Sequence, residues 1–439
     1  MRTSDALALV MGILGAGAAF QAGAGNTQGG PGDSIVYIGT HGTPGPGPGP
    51  GPTRAPGFAS APVPPSAPVP PRAPGPASAP AGSSPQSTGA QPADTGPQGI
   101  YAARLDAKTG HLSPLGIMVE LQRATWLVTH PSLPVIYSVA DSGGGMEANS
   151  NIYSFKVDPA TGKLQVINKV DAGGRDATAM DLDAKLNTLF IANHGSGSVS
   201  ALPVLPDGSL GPVASDQKDY GTGPHPRQKS PSAHGVAIDP THKYVLVADF
   251  GADRIFSYRF DSAKKSLSAT QPPFESLPAG SGPRHLLFHP NGRFLLLDTE
   301  LTAELRSYSW DAKEGRLHLV QTLSPYPADY VGEKSAAEIA MSRDGRFAYL
   351  SLRGDQNSVV VYSINEHGGT LKEIQRISAQ GKNPWSFGID PTGHWMLVTN
   401  EISNSVAVLR IDPGTGKLAV TGESLTIPKP VTVAFIRAN

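Results

Sequence analysis

The chain has no cysteine, which excludes disulfide staples, thiolate zinc and iron–sulfur sites, and a cysteine nucleophile. Charge is scarce as well, with 16% of residues charged against roughly 25% in an average globular chain. Thirty-five basic residues face 36 acidic ones for a net charge of -1, so the chain as a whole offers no basic field to nucleic acid or an anionic membrane. Beyond the N-terminus no stretch approaches the roughly 18 apolar residues that would span a bilayer. What the chain does have is backbone punctuation. Its 51 Gly and 42 Pro make up about a fifth of 439 residues, against nearer 12% on average, which argues against a mainly helical protein.

Two segments stand apart from the rest. Arg2, the apolar run Ala6 to Phe20 and the small residues around Ala22–Ala24 follow the order of a secretory signal peptide over residues 1–24. The expected location is therefore periplasmic or secreted, or cytoplasmic if the leader is not a functional signal, with no membrane attachment after processing. From Gly42 the chain runs through Thr43-Pro-Gly-Pro-Gly-Pro-Gly-Pro-Gly-Pro52 and then Ala/Pro/Ser to about residue 98, with Phe58 its sole aromatic. Such a composition buries too little apolar surface to offset chain entropy. A disordered Pro/Gly-rich insertion over 42–98 is expected, set in a hairpin loop because strand-like Ile35–Thr40 and Gly99–Asp106 flank it.

The remaining chain repeats. His130-Pro131, Ala184, Asp239-Pro240, His289-Pro290, Ser342-Arg343 and Asp390-Pro391 recur at 48 to 56 residues, each between two short apolar runs. Every period carries four strand signals, the third and fourth joined by Asp-x-x-x-Gly-x-Leu turns such as Asp158–Leu164 and Asp412–Leu418. Four antiparallel strands in a period of this length mark a β-propeller blade. Six innermost strands are expected to begin near 124, 177, 233, 284, 337 and 385. The N-terminal unit lacks one, which Lys429–Ile436 supplies. The expected fold is an all-β, seven-bladed propeller over 34–439 whose C-terminal strand closes the first blade and leaves no open sheet edge.

Ser232-Ala-His-Gly-Val-Ala-Ile-Asp-Pro240, Gly282-Pro-Arg-His-Leu-Leu-Phe-His-Pro-Asn-Gly-Arg293, Thr299-Glu-Leu301, Ser335-Ala-Ala-Glu-Ile339 and Leu352-Arg-Gly354 resemble the lactonase family of seven-bladed propellers. That family includes the bacterial propeller-type 6-phosphogluconolactonase and the fungal carboxymuconate-lactonizing enzyme. The resemblance implies a lactone hydrolase acting on a sugar-acid lactone, 6-phosphogluconolactone first, with no metal and no cofactor. It also implies active-site positions at His234, Arg284, Glu300 and Arg353. The sequence departs from the family in its last blade, where Trp385 in Asn383-Pro-Trp-Ser-Phe387 occupies a usual arginine position, and at Leu352 and Thr299, where Asn is usual.

Independently of the resemblance, first strands start and second strands end on one face of the disc, near the channel. Thr125, Asp176, His234, Arg284, His285, Glu338 and Trp385 come from the first set, and His41, His194, Phe250, Glu300, Arg353 and Glu401 from the second. Lactone opening needs a holder for the anionic end, a proton carrier and stabilisation of a developing oxyanion. Arg284 and Arg353 suit the first and last tasks, while His234 and Glu300 suit proton transfer. His285, Glu338, Trp385 and His194 are expected to contact substrate. Arg284 and Glu300 could instead form a structural pair, and Trp385 could pack rather than stack on a sugar. The expected partner is a small lactone and the expected state a monomer. A carboxymuconate-type cyclisation, a Ca2+-dependent lactonase and a non-catalytic periplasmic binding propeller stay open as alternatives.

Overall fold

The computed structural model describes residues 32–41, 96–140 and 148–438. The leader expected over 1–24 and nearly all of the insertion expected over 42–98 lie outside the described residues. Those described form seven four-stranded antiparallel sheets and no helix. In six sheets the strands follow chain order outward from the channel. In the other, Pro430–Arg437 is innermost and pairs with Ser34–Thr40, from Ser34 opposite Arg437 to Thr40 opposite Pro430. The last strand thus closes the first blade, as expected.

The physical reason for a ring is visible in the core, which divides into seven apolar clusters, one at each blade interface. Tyr37 and Ile100 of the first blade meet Ile136 and Phe155 of the second, and Trp395 and Val406 of the seventh meet Val36 and Phe435 of the first. No blade can cover its own two faces, so removing one uncovers two clusters. Tyrosines on second strands add a recurrent lock. The hydroxyls of Tyr37, Tyr137 and Tyr349 donate to the carbonyls of Gly162, Gly208 and Gly416, each in the outer turn of the next blade, at 2.9, 3.0 and 3.1 Å. Gly416 fits that turn because its φ is +70° and because a Cβ there would lie 2.2 Å from the Phe347 ring.

Two backbone devices create the functional face. In six blades the residue just beyond the second strand donates its amide to the approach to the first strand. His41 donates to Lys429, His194 to Asp176, Phe250 to Ser232, Glu300 to Gly282, Arg353 to Ser335 and Glu401 to Asn383. In five blades a bulge follows at once on the first strand. The ladder skips Thr178, His234, the Arg284–His285 pair, the Ala337–Glu338 pair and Trp385. A bulge turns residues out of the pairing plane. The amides left over in the fifth to seventh blades are taken by second-strand side chains: His285 donates to Asp298, Glu338 to Ser351 and Ser386 to Thr399, at 2.8, 2.9 and 3.0 Å.

Candidate active site

A cavity of about 190 Å3 lies at this mouth of the channel. The eight positions singled out from sequence, His194, His234, Arg284, His285, Glu300, Glu338, Arg353 and Trp385, all line it, together with His41, Thr125 and Asp176. Phe250 and Glu401 do not. Sequence reasoning missed Arg123, Trp126, Thr178, Arg227 and Ser386. Thr178 could have been found as the counterpart of His234 and Trp385, the bulged residue of its own inner strand. Arg227 could have been found only by knowing that the long connection between the third and fourth blades crosses the mouth.

The cavity is organised around one carboxylate. Glu300 Oε2 accepts from Nε of Arg284 at 3.1 Å and lies 3.1 Å from Nη2 of Arg353, while Oε1 accepts from Nη1 of Arg227 at 2.6 Å. Glu300 and Arg284 are 7% and 2% exposed at the side chain, whereas Arg227 is 56% exposed. Burial alone would raise the Glu300 carboxyl, but Arg353, Arg284 and Arg227 outweigh it and hold the group far below the usual carboxylate range. It stays ionised throughout the neutral range and carries no proton to give.

The arginines have further anchors. Arg284 Nη1 also donates to the carbonyl of Ala337, and Arg353 donates to the Ser335 hydroxyl and the Ala336 carbonyl at 3.1 and 3.2 Å. Trp385 supplies the remaining face, with the guanidinium carbons of Arg353 and Arg284 at 5.1 and 5.9 Å from its ring centre. Its other neighbour is the His41 ring at 5.2 Å. Trp385 thus steadies two guanidinium groups through its ring quadrupole.

The floor is built by the fifth, sixth and seventh blades. His285 Nδ1 sits 3.1 Å from Oε1 of Glu338, and Ser386 donates to Oε2 at 2.8 Å. The geometry is that of an ion pair, but burial followed by Arg284 pushes His285 well below its ordinary value, and burial raises Glu338 to about 7. The contact is therefore a hydrogen bond between a neutral imidazole and a carboxyl that titrates near neutrality. Below this floor the channel continues as a second space of about 190 Å3, mainly apolar, sharing Trp126, His285, Glu338 and Ser386 with the upper one.

His234 is likewise kept neutral, by burial first and then Arg284. Its Nδ1 is buried without a hydrogen-bond partner. An orphaned acceptor costs less than an orphaned N–H, so the proton belongs on Nε2. Across the mouth, Asp176 holds Arg123 at 2.6 Å and faces His194. Among the described residues no group of three or more His, Asp or Glu is arranged to hold a metal ion. The four arginines at the mouth outnumber the fixed carboxylates Asp176 and Glu300. Such a pocket attracts anions.

Fold and site together define a seven-bladed propeller enzyme with an anion-attracting pocket at one channel mouth. The family model described as "Lactonase, 7-bladed beta-propeller" matches residues 88–435, and the chain belongs to that family. It is a lactonase of the propeller type. A 6-phosphogluconolactonase of Bacillus subtilis is 30% identical over 343 residues, covering 78% of this chain and 95% of the relative. A 6-phosphogluconolactonase of Formosa agariphila is 29% identical, covering 75% and 93%. Among solved structures, the periplasmic gluconolactonase of Pseudomonas aeruginosa superposes with a TM-score of 0.76 at 28% identity, covering 93% of this chain and all of that one.

Proposed function

We propose that the chain hydrolyses an anionic sugar-acid lactone, 6-phosphogluconolactone being the first candidate, without a metal. The observation that carries this is the surplus of guanidinium groups gathered around Glu300. In this reading Arg284 and Arg353, held on the inner wall, bind the lactone carbonyl oxygen as it becomes an oxyanion. Arg227, long and exposed, grips the phosphate from the rim. His234 donates from Nε2 to the same oxygen or to the leaving ring oxygen. Glu300 was expected from sequence to share proton transfer, but a carboxylate held by three guanidinium groups is a poor base and no acid. Here it sets the positions of the arginines instead. His285 and Glu338 form the floor beneath the substrate, and Trp385 backs the two inner arginines.

A second reading, hydrolysis of an unphosphorylated sugar lactone, is favoured by the family arginine lost at Trp385 and by the similarity to the Pseudomonas periplasmic gluconolactonase. The leader's charge and apolar order together with that similarity support a periplasmic or secreted location. Recovering a mature protein that begins near residue 25 from a periplasmic fraction tests this. The substrate reading is tested by comparing kcat/KM for 6-phosphogluconolactone and for δ-gluconolactone, each with and without a chelator. Chelator-resistant turnover at least tenfold faster on the phosphorylated lactone is expected. Equal or reversed preference supports the second reading, and chelator-sensitive turnover overturns metal independence.

A further inference from the structure

Opening a lactone with water requires a group that takes the water's proton, and the central residues of the pocket are engaged otherwise. Glu300 is held by three guanidinium groups, His285 is tied to Glu338 and Arg284, and His234 presents a donor. On the opposite wall an imidazole stands before a carboxylate. His194 Nδ1 lies 3.5 Å from Oδ2 of Asp176, whose Oδ1 accepts from Arg123 Nη2 at 2.6 Å. The backbone fixes the two, since His194 N–H donates to the Asp176 carbonyl and Gly195 N–H to the Arg175 carbonyl, both at 3.0 Å. The His194 ring packs edge-on to His234 at 5.6 Å and against Phe250 at 6.0 Å.

Asp176 stands directly before its inner strand in the left-handed region, at φ 48°, as Gly282, Asn383 and Lys429 do in other blades, and Arg123 turns left-handed at φ 57°. This recurrent blade entry carries Arg123 and Asp176 to the mouth beside the imidazole. With Nδ1–H directed at the carboxylate, His194 leaves Nε2 as its basic nitrogen for the cavity.

We propose that Asp176 and His194 form the general-base dyad of this pocket, His194 Nε2 taking a proton from the water that attacks the lactone carbonyl. The proposal rests on the lactonase reading above. The water oxygen bonds to the carbonyl carbon and its proton passes to Nε2. The oxyanion then collapses, the bond to the ring oxygen breaks, and the imidazolium returns its proton to that oxygen as a hydroxyl. The product is the open hydroxy acid, which ionises, and the histidine is restored. Asp176 is a positioning residue that holds the tautomer and stabilises the transient imidazolium. Burial would raise its carboxyl, but the contacts with His194 and Arg123 outweigh that and keep it ionised.

The test uses the full chain and 6-phosphogluconolactone. His194→Gln is expected to lower kcat by roughly 10²–10⁴-fold, with KM within about threefold and the unfolding midpoint unchanged. In His194→Gly, added imidazole is expected to restore turnover above an enzyme-free imidazole control, a readout that a merely structural histidine would not give. Asp176→Asn is expected to lower kcat without becoming imidazole-dependent. Wild-type turnover with His194→Gln unaffected, or a His194→Gly loss that imidazole does not rescue, overturns the dyad alone. Absence of turnover by the wild type on any sugar lactone overturns the lactonase reading and the dyad with it.

Discussion

Arg227 Nη1 stands 2.6 Å from Glu300 Oε1 although the two residues are 73 positions apart, one on the connection between the third and fourth blades and the other at the end of the second strand of the fifth. Arg227 is more than half exposed and its guanidinium also lies 4.6 Å from the Phe250 ring centre. It is the member of the Glu300 cluster that can exchange partners with an arriving anion at little structural cost, because Arg284 and Arg353 continue to hold the carboxylate.

Replacing Arg227 by Ala should therefore separate binding from folding. Loss of a charge-assisted hydrogen bond of about 1.5–3 kcal/mol corresponds to a drop of about 10–100-fold in kcat/KM for a phosphorylated lactone. δ-Gluconolactone turnover should change by less than about threefold. The unfolding free energy should stay within about 0.5 kcal/mol, as for other exposed sites. An equal loss on both lactones would show that Arg227 does not meet the phosphate.

The floor carboxyl gives a pH prediction. Burial raises Glu338 from 4.5 to about 7 in the fold, so the folded chain binds this proton more tightly than the unfolded one. Its contribution is fully present below about 4.5 and is lost as pH rises through about 7. Glu338→Gln, which keeps the shape and removes the titration, should therefore gain on the wild type between pH 5 and pH 8. Thermal melts of both proteins at the two values check this. A difference in midpoint that does not vary with pH contradicts it.

Ring closure predicts a large response to a small deletion. Residues 430–439 contain Val433 and Phe435 of the interface with the seventh blade and Ala434 of the interface with the second. Phe435→Ala should cost about 3–5 kcal/mol as a buried large-to-small change. Ending the chain at residue 429 should cost more, and should weaken the whole ring rather than fray one end. A truncated protein with an unchanged midpoint in a circular-dichroism melt would show that the first blade does not need its fourth strand.

Much of this molecule is legible in its sequence because a propeller is a local repeat. Anchors such as Asp239-Pro240 and Asp390-Pro391 mark each blade, and the unpaired run at 430–436 finds its place by counting strands. His234, Arg284 and Trp385 could be placed on one face for the same reason. What the period cannot carry is the path of irregular backbone. The second inner strand begins at Leu127 rather than near 124, after Arg123 turns left-handed, and Arg227 reaches Glu300 on a connection without repeat spacing. The surroundings of Glu300 were also out of reach, since Arg227, Arg284 and Arg353 come from three separate segments to meet it. The sequence leaves Trp385 open to stacking on a sugar or to packing, and in the fold its ring faces two arginines and His41.

If the arginines of the Glu300 cluster stabilise charge that develops during lactone opening, Arg353→Ala should reveal it, with kcat/KM on 6-phosphogluconolactone and the unfolding midpoint measured on the same preparation. Because Arg353 is buried against Glu300, removing it should cost up to about 3–5 kcal/mol of stability, and activity must be expressed per folded molecule. Among the molecules that remain folded, kcat/KM should fall by a further factor of roughly 10²–10³. A midpoint that collapses while activity per folded molecule survives would contradict it, and would make the cluster a structural clasp of the propeller.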